Sequence, residues 1–414
     1  VRRRVRRAAC ALALLAAAAV GGCGGDRGRA ARAVAGLEFL LAAGDSTYWI
    51  SASAEGARVR AAPLLLARWD GRLYEVYAAD DDRSFYDAVF TSQRVYRRDL
   101  LAGDSLAVFD DPRVRTLADR YAVANPYERP LAPEEDAAEE PTTVATSEVA
   151  LLDVYGPYLT IEHRADVESR GDAHEHQLRR AVIDLRTGAR ASLAQLFGDR
   201  AAAILIETGS RRLVQAIDSV RGLAALEDRA AVEPALRALR TLRFDAASFG
   251  LTALDGAPAV TFVALGDDGE GRAVSLPLAP IAVPATPAWW RREVSATLPR
   301  WRPDSSEARF ALDRAVTLLA RPEGGATRLA LRVAGVRGAV RLGDVGAPVH
   351  QLLPLSRGAV SDAARRALRR AFDESAFYGD VTTSVSWDPA QAAPRARTAR
   401  RVHPAPRALH PRGR

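Results

Sequence analysis

Short turn pairs set the terms for how this chain can fold. Asp70-Gly71 and Asp255-Gly256 each join two runs rich in β-branched, aromatic and aliphatic residues, and Thr187-Gly188 turns the chain after QLRRAVIDLR. Such pairs tolerate positive φ and bring their flanks together as antiparallel hairpins. Around the first pair lie TYWISAS, ARVRAAPLLLARWD, RLYEVYAAD and QRVYRRDLLAGDSLAVF; around the last lie FGLTAL and AVTFVAL, followed by AVSLPLAPIAVP. Helical spacing is confined to a few places: ARAVAGLEFLLAAG up to Gly44, Asp111-Pro112 onward to Ala124, Ala201 to Arg240, and Ser361 to Phe372. The predicted class is α+β, with β-rich small domains and helices inserted between strand groups.

Composition divides the chain. Residues 28–124 read as a β-rich N-terminal domain with a closing helix. Residues 125–147, NPYERPLAPEEDAAEEPTTVATS, hold four prolines and six acids and read as an exposed linker. Residues 148–288 read as an α+β domain opened by EVALLDV and PYLTIEHRADV, and residues 289–388 as a C-terminal α+β domain. Residues 389–414, rich in proline and arginine without apolar periodicity, are expected to be a disordered basic tail. Of the net charge of +7, five arginines sit in the first seven residues and seven in Pro394–Arg414, so the part between is mildly acidic, about −5. That balance gives no nucleic-acid surface. Lysine and methionine are absent and asparagine occurs once, at Asn125. A GC-rich genome accounts for that bias, so arginine abundance says little about function.

The charged start is followed by 13 uncharged apolar residues, Ala8 to Val20. A bilayer-spanning helix needs about 20, so this is the charge and length pattern of an export signal. Val20, Gly21, Gly22 and Cys23 resemble the bacterial lipoprotein signal: an aliphatic residue, two small residues and the cysteine that is lipidated. The resemblance implies residues 1–23 as signal peptide and lipobox, Cys23 as the lipidation site and membrane contact, and 24–27 as a tether. Gly24 in place of an aspartate implies the periplasmic face of the outer membrane. The other reading is cleavage at an Ala-x-Ala site near Ala17–Ala19, leaving Cys23 a plain thiol. Cys10 departs with the signal in either case, so no disulfide forms within the mature chain.

Residues 148–288 are similar to an envelope domain found in a lysozyme-sensing anti-sigma factor and as the non-catalytic companion of a peptidoglycan deacetylase. The shared features are Gly171, Ala173 and His174, then Asp184, Leu185, Thr187 and Gly188, then Ser192, Leu193, Leu196 and Phe197. The resemblance implies a strand pair, a helical insert, a final strand pair and binding to envelope partners. It supplies no catalytic residues and no cofactor.

Several motifs invite chemistry. Gly103-Asp104-Ser105-Leu106 spells a lipase-type nucleophile motif, but no histidine has an aspartate three positions before it, so a turn before a strand is expected. His174 and His176 flank Glu175, and with His163 and Glu162 they pose a metal question; with no cysteine near and the acids scattered, a metal-free polar hairpin is expected. Asp80–Asp82 and Asp267, Asp268 and Glu270 lack calcium-loop spacing and read as solvated turns. Trp289, Trp290 and Trp301 stand among arginines and suit either stacking on sugar rings or packing at a domain junction. The sequence therefore predicts a lipid-anchored, non-enzymatic envelope protein that binds peptidoglycan or a periplasmic protein, without metal or cofactor. The candidate binding residues are His163, His174, His176, Trp289, Trp290 and Trp301. The rival is a hydrolase of an envelope substrate, which a cleft joining His163, His174 and a carboxylate would favour.

Overall fold

A computed structural model describes residues 25–44, 46–53, 55–132, 141–169, 175–224, 229–267, 273–294, 307–323, 326–346, 349–355, 360–377, 382–386 and 395–398. The described residues open with helix α1 (Gly25–Val34), which takes up most of the expected 24–27 tether, and strands β1 (Leu37–Ala43), β2 (Ser46–Ala52) and β3 (Gly56–Ala62). Next come β4 (Leu65–Trp69), β5 (Arg72–Ser84), β6 (Ala88–Asp99), β7 (Ser105–Asp110), α2 (Pro112–Ala124), β8 (Thr143–Tyr155), β9 (Tyr158–Ser169) and β10 (Glu175–Asp184). Helices α3 (Leu193–Phe197), α4 (Asp199–Ala224) and α5 (Arg229–Thr241) lead to β11 (Phe249–Leu254), β12 (Ala257–Asp267), β13 (Ala273–Pro277) and β14 (Ile281–Ala282). The last stretch holds β15 (Ala308–Ala311), β16 (Val316–Glu323), β17 (Ala326–Val333), β18 (Val340–Val345), β19 (Val349–Pro354), α6 (Asp362–Phe377), β20 (Thr382–Ser386) and β21 (Arg395–Thr398). The described residues form four sheets, and the α+β, β-rich class holds.

Two compact units emerge, Leu64–Leu298 and a discontinuous one made of Val1–Pro63 with Pro299–Arg414. These units cut across the compositional boundaries. The expected 28–124 domain is divided after Pro63, because β1 pairs with β19 (Phe39 opposite Pro354) while β4 pairs with β5. The supposed linker at 125–147 ends inside a sheet, since Thr143–Ser147 begins β8 and runs parallel to Ala88–Ser92 of β6. The 148–288 and 28–124 segments thus share one sheet, in the order β10-β9-β8-β6-β5-β4 with β7 also on β6. Parallel neighbours need a crossover, and β7 with α2 supplies it.

In the discontinuous unit, the sheet β19-β1-β2-β3-β20-β21 and the sheet β15-β16-β17-β18 contribute to one core, which includes Phe39, Leu41, Ile50, Leu318, Leu331 and Leu342. Leu37–Ala43, expected to be helical, is the strand β1. A short run of apolar residues has no readable period, and pairing on both sides decides the matter. Within the expected disordered tail, Arg395–Thr398 is a strand paired with β20; the remainder of the tail lies outside the described residues.

In Leu64–Leu298 the turn pairs behave as read. Asp70 and Gly71 have φ of 49° and 72°, Asp255 and Gly256 of 52° and 77°. The helices at 193–241 and the strands β11 to β14 build a second layer whose core includes Leu205, Phe249, Phe262 and Trp290. Asp111 caps α2, its carboxylate accepting from the Arg113 amide, and Ser192 with Gln195 forms a capping box on α3. Asp80–Asp82 lie in mid-strand in β5 instead of a turn, with Asp81 paired to Arg94.

Candidate functional site: a groove between two edge strands

Strands β7 and β10 are the two edges that bound a cavity of about 690 Å³. Side chains alternate across a strand, and the unbroken β9–β10 register sends Ile161 and His163 of β9, with Gln177, Arg179, Ala181 and Ile183 of β10, to the same face. Val108 and Phe109 of β7 form the facing wall. At one end the turn after β10 closes on β7. Gly188 has φ of 75°, and a Cβ there would lie 3.1 Å from the Val108 carbonyl oxygen. Only glycine serves both the turn and this approach.

At the other end stands a buried polar cluster. His163 is 6% exposed and Ser147 fully enclosed. The Ser147 Oγ lies 2.9 Å and the Asp111 Oδ2 3.2 Å from the same ring nitrogen, His163 Nε2. Asp111 also receives the Arg113 guanidinium, with Nε at 3.0 Å from each carboxylate oxygen and an NH2 at 2.6 Å from Oδ2. Burial alone raises the Asp111 pKa, but the hydrogen bonds from His163 and Arg113 outweigh it and hold the carboxyl well below its ordinary range. The ionised carboxylate calls for N–H on Nε2. That nitrogen then has no lone pair for the Ser147 proton, so the three residues form a locked clamp and not a nucleophile relay.

A second cavity, of about 270 Å³, continues past Arg113 and Gln177 along α2, lined by Val114, Leu117, Arg120, Ala165 and Val167. Asp110 at the rim is committed to Arg115 through both carboxylate oxygens. Arg120 and Arg179 are exposed and have no ion-pair partner among the described residues. Arg190 hydrogen-bonds the main-chain carbonyls of Arg180 and Ala247. Burial lowers its pKa, Asp245 raises it, and the charge of Arg179 lowers it further.

The expected site residues are dispersed. His163 lies in the groove. His176 is on the opposite face of the same sheet, its Nδ1 on Asp166, so the two histidines do not converge. No group of three or more potential metal ligands occurs among the described residues. Trp290 is fully buried, with its indole N–H on the Gly256 carbonyl and its ring stacked on Tyr155. Trp289 packs on Tyr158 and Phe197 and donates to the Leu196 carbonyl. Both belong to the core of Leu64–Leu298, which corrects the glycan-stacking expectation for them; their N–H groups and ring faces are already used. Ser105 starts β7, its hydroxyl 3.4 Å from the Tyr77 hydroxyl, in the turn-and-strand role expected. Cys23, His174 and Trp301 lie outside the described residues. Sequence reasoning missed Asp111 as a site residue, along with Ser147, Arg120, Arg179 and Arg190. The Asp111-Pro112 pair was legible as a helix start, but its second role depends on pairing of β8 with β6 and β9.

No family model and no curated protein matches the chain. Among solved structures, it is similar to a member of the DUF3298 family from Bacteroides fragilis, at 9% identity and a TM-score of 0.29. The match covers 53% of this chain and 98% of that one. A likeness of this size carries no argument about fold family, site or activity.

Proposed function

We propose that the chain is a lipid-anchored cell-envelope protein, held through Cys23 at the periplasmic face of the outer membrane, which binds peptidoglycan or a periplasmic protein without transforming it. The single observation that supports binding most is the preformed groove between β7 and β10. Its wall is apolar, its rim carries uncommitted arginines, and its buried His163 is spent on holding the walls together. Ligand sites are commonly concave and apolar with a few placed polar groups. No helix among the described residues is long and apolar enough to cross a membrane. The test is co-sedimentation of Gly24–Arg414 with purified peptidoglycan sacculi, beside a form ending at Asp388. Pelleting of both supports wall binding by the folded units; pelleting of the longer form alone reduces it to attraction by the basic tail; pelleting of neither overturns the wall-binding reading.

The rival, a hydrolase, draws on the Asp111–His163 contact beside the cavity. The shared Nε2 and the enclosed Ser147 hydroxyl argue against it. Release of soluble muropeptides from the sacculi by the wild-type protein, abolished in His163→Ala, would establish the rival in its place.

A further inference from the structure

Both acids that line the groove are held by bases, while two of its arginines are held by no acid. Asp110 is held by Arg115, and Asp111 by Arg113 and His163. Arg120 in one lobe and Arg179 in the other stand free of acid partners among the described residues. Arg190 lies in the same lobe as Arg179, close enough for the two guanidiniums to repel each other. Asp245 acts on Arg190 from its own side, whereas Arg179 has no acid partner among the described residues, so a ligand carboxylate reaching Arg179 relieves the repulsion between the two. The two lobes share Arg113 and Gln177 in their lining, so they lie side by side along β10 and α2. Between the charged points its lining is aliphatic and small: Val108, Ile161, Ala181, Ala165 and Val167.

We propose that this groove binds an extended peptide bearing carboxylates, with Arg179 and Arg190 pairing one carboxylate, Arg120 a second, and the aliphatic strip receiving small side chains between them. The planar guanidinium fork suits a carboxylate bidentately. The lining offers no open aromatic platform for a sugar ring, since Phe109 packs against His163 with ring centroids 5.2 Å apart. The proposal rests on the wall-binding reading for its biological source and names which part of the polymer is held: the acidic, alanine-containing peptide stem, not the glycan strand.

The test uses Gly24–Arg414 and a fluorescein-labelled peptide of alternating glutamate and alanine, with an alternating glutamine and alanine peptide as the neutral control. Fluorescence anisotropy is read at low and high salt. The expected result is saturable binding of the acidic peptide, weakened at least tenfold in Arg179→Gln and in Arg120→Gln and weakened by salt. Binding is unchanged in Arg164→Gln, an exposed arginine on the opposite face of β9. All three positions are exposed, so folding is retained, and circular dichroism checks it. Equal binding of the neutral peptide overturns the proposal, as does failure of the acidic peptide to bind or an equal loss in all three variants. Sacculus pelleting separates this from the wider reading. Pelleting of wild type that persists in Arg179→Gln/Arg120→Gln overturns the groove and leaves wall binding intact. Peptide binding by a wild type that fails to pellet keeps the groove and removes the wall as its source.

Discussion

At the scale of the residue, two carboxyls with opposite environments make opposite predictions. Asp111 has its pKa depressed by its hydrogen bonds. Its stabilising contribution is complete above the unfolded carboxylate value of about 3.9 and is lost as pH falls toward the folded value. Asp111→Asn keeps an α2 cap but loses the charge, so stability at pH 7 should drop by about 1–3 kcal/mol, and denaturant titrations should show the gap to wild type closing as pH falls below 4. Asp153, at a bulge in β8, is pushed up to about 7 by burial, which the charge of Arg180 only partly offsets. Between about 4 and 7 the folded state holds a proton that the unfolded state has released, so stability falls as pH rises through that window. Asp153→Asn should therefore be more stable than wild type at pH 8, by about 2 kcal/mol once partial solvent access is allowed for, and should match it near pH 4. Thermal melts at the two pH values measure this; an equal effect at both would remove the titration account. Neither environment was legible in the sequence. The string DDPRVR announces a helix cap, but nothing local says that a histidine 52 residues onward will meet it, and LLDVY contains no mark of a bulge.

At the scale of the element, most starts and stops were legible where backbone chemistry is local. The Asp-Gly turns, the Asp111 cap and the SLAQLF capping box all follow from residues within a few positions of one another. What failed was long-range. Leu37–Ala43 is apolar enough for either helix or strand, and its partner Val349–Pro354 decides the outcome from over three hundred residues away. The TTVATS end of the supposed linker was averaged with the acids before it, although its β-branched residues are strand formers. Helix α4 gives a paired prediction. Alanine for glycine in a helix interior gains about 1 kcal/mol when nothing opposes it. Gly222 has open space, so Gly222→Ala should stabilise. Gly209 does not: its Cβ would meet Phe244 at 2.7 Å and the fully buried Phe262 at 2.8 Å, so Gly209→Ala should destabilise by about 1–3 kcal/mol. Chemical denaturation of the two variants gives shifts of opposite sign if packing outranks propensity here.

At the scale of the whole molecule, the anchoring proposal carries its own prediction. Cys23→Ser should shift the protein from the membrane to the soluble envelope fraction and abolish incorporation of radiolabelled palmitate, because stable attachment requires the acyl chains. Unchanged fractionation and labelling would instead support the plain-thiol reading. Composition placed the internal boundaries poorly. Charge and apolar length are local sums, whereas the two units are defined by which strands find each other.

The discontinuous unit has a consequence for the order of events during synthesis. Strands β1 to β3 leave the ribosome long before β15 to β19 exist, and Leu64–Leu298 can complete its own core in the interval. A chain of this design carries unsatisfied strand edges until its last quarter arrives. Its window of exposure to holdases and proteases is therefore set by the speed of chain delivery, and a stall after Leu298 would leave one finished body and one orphaned half-sheet.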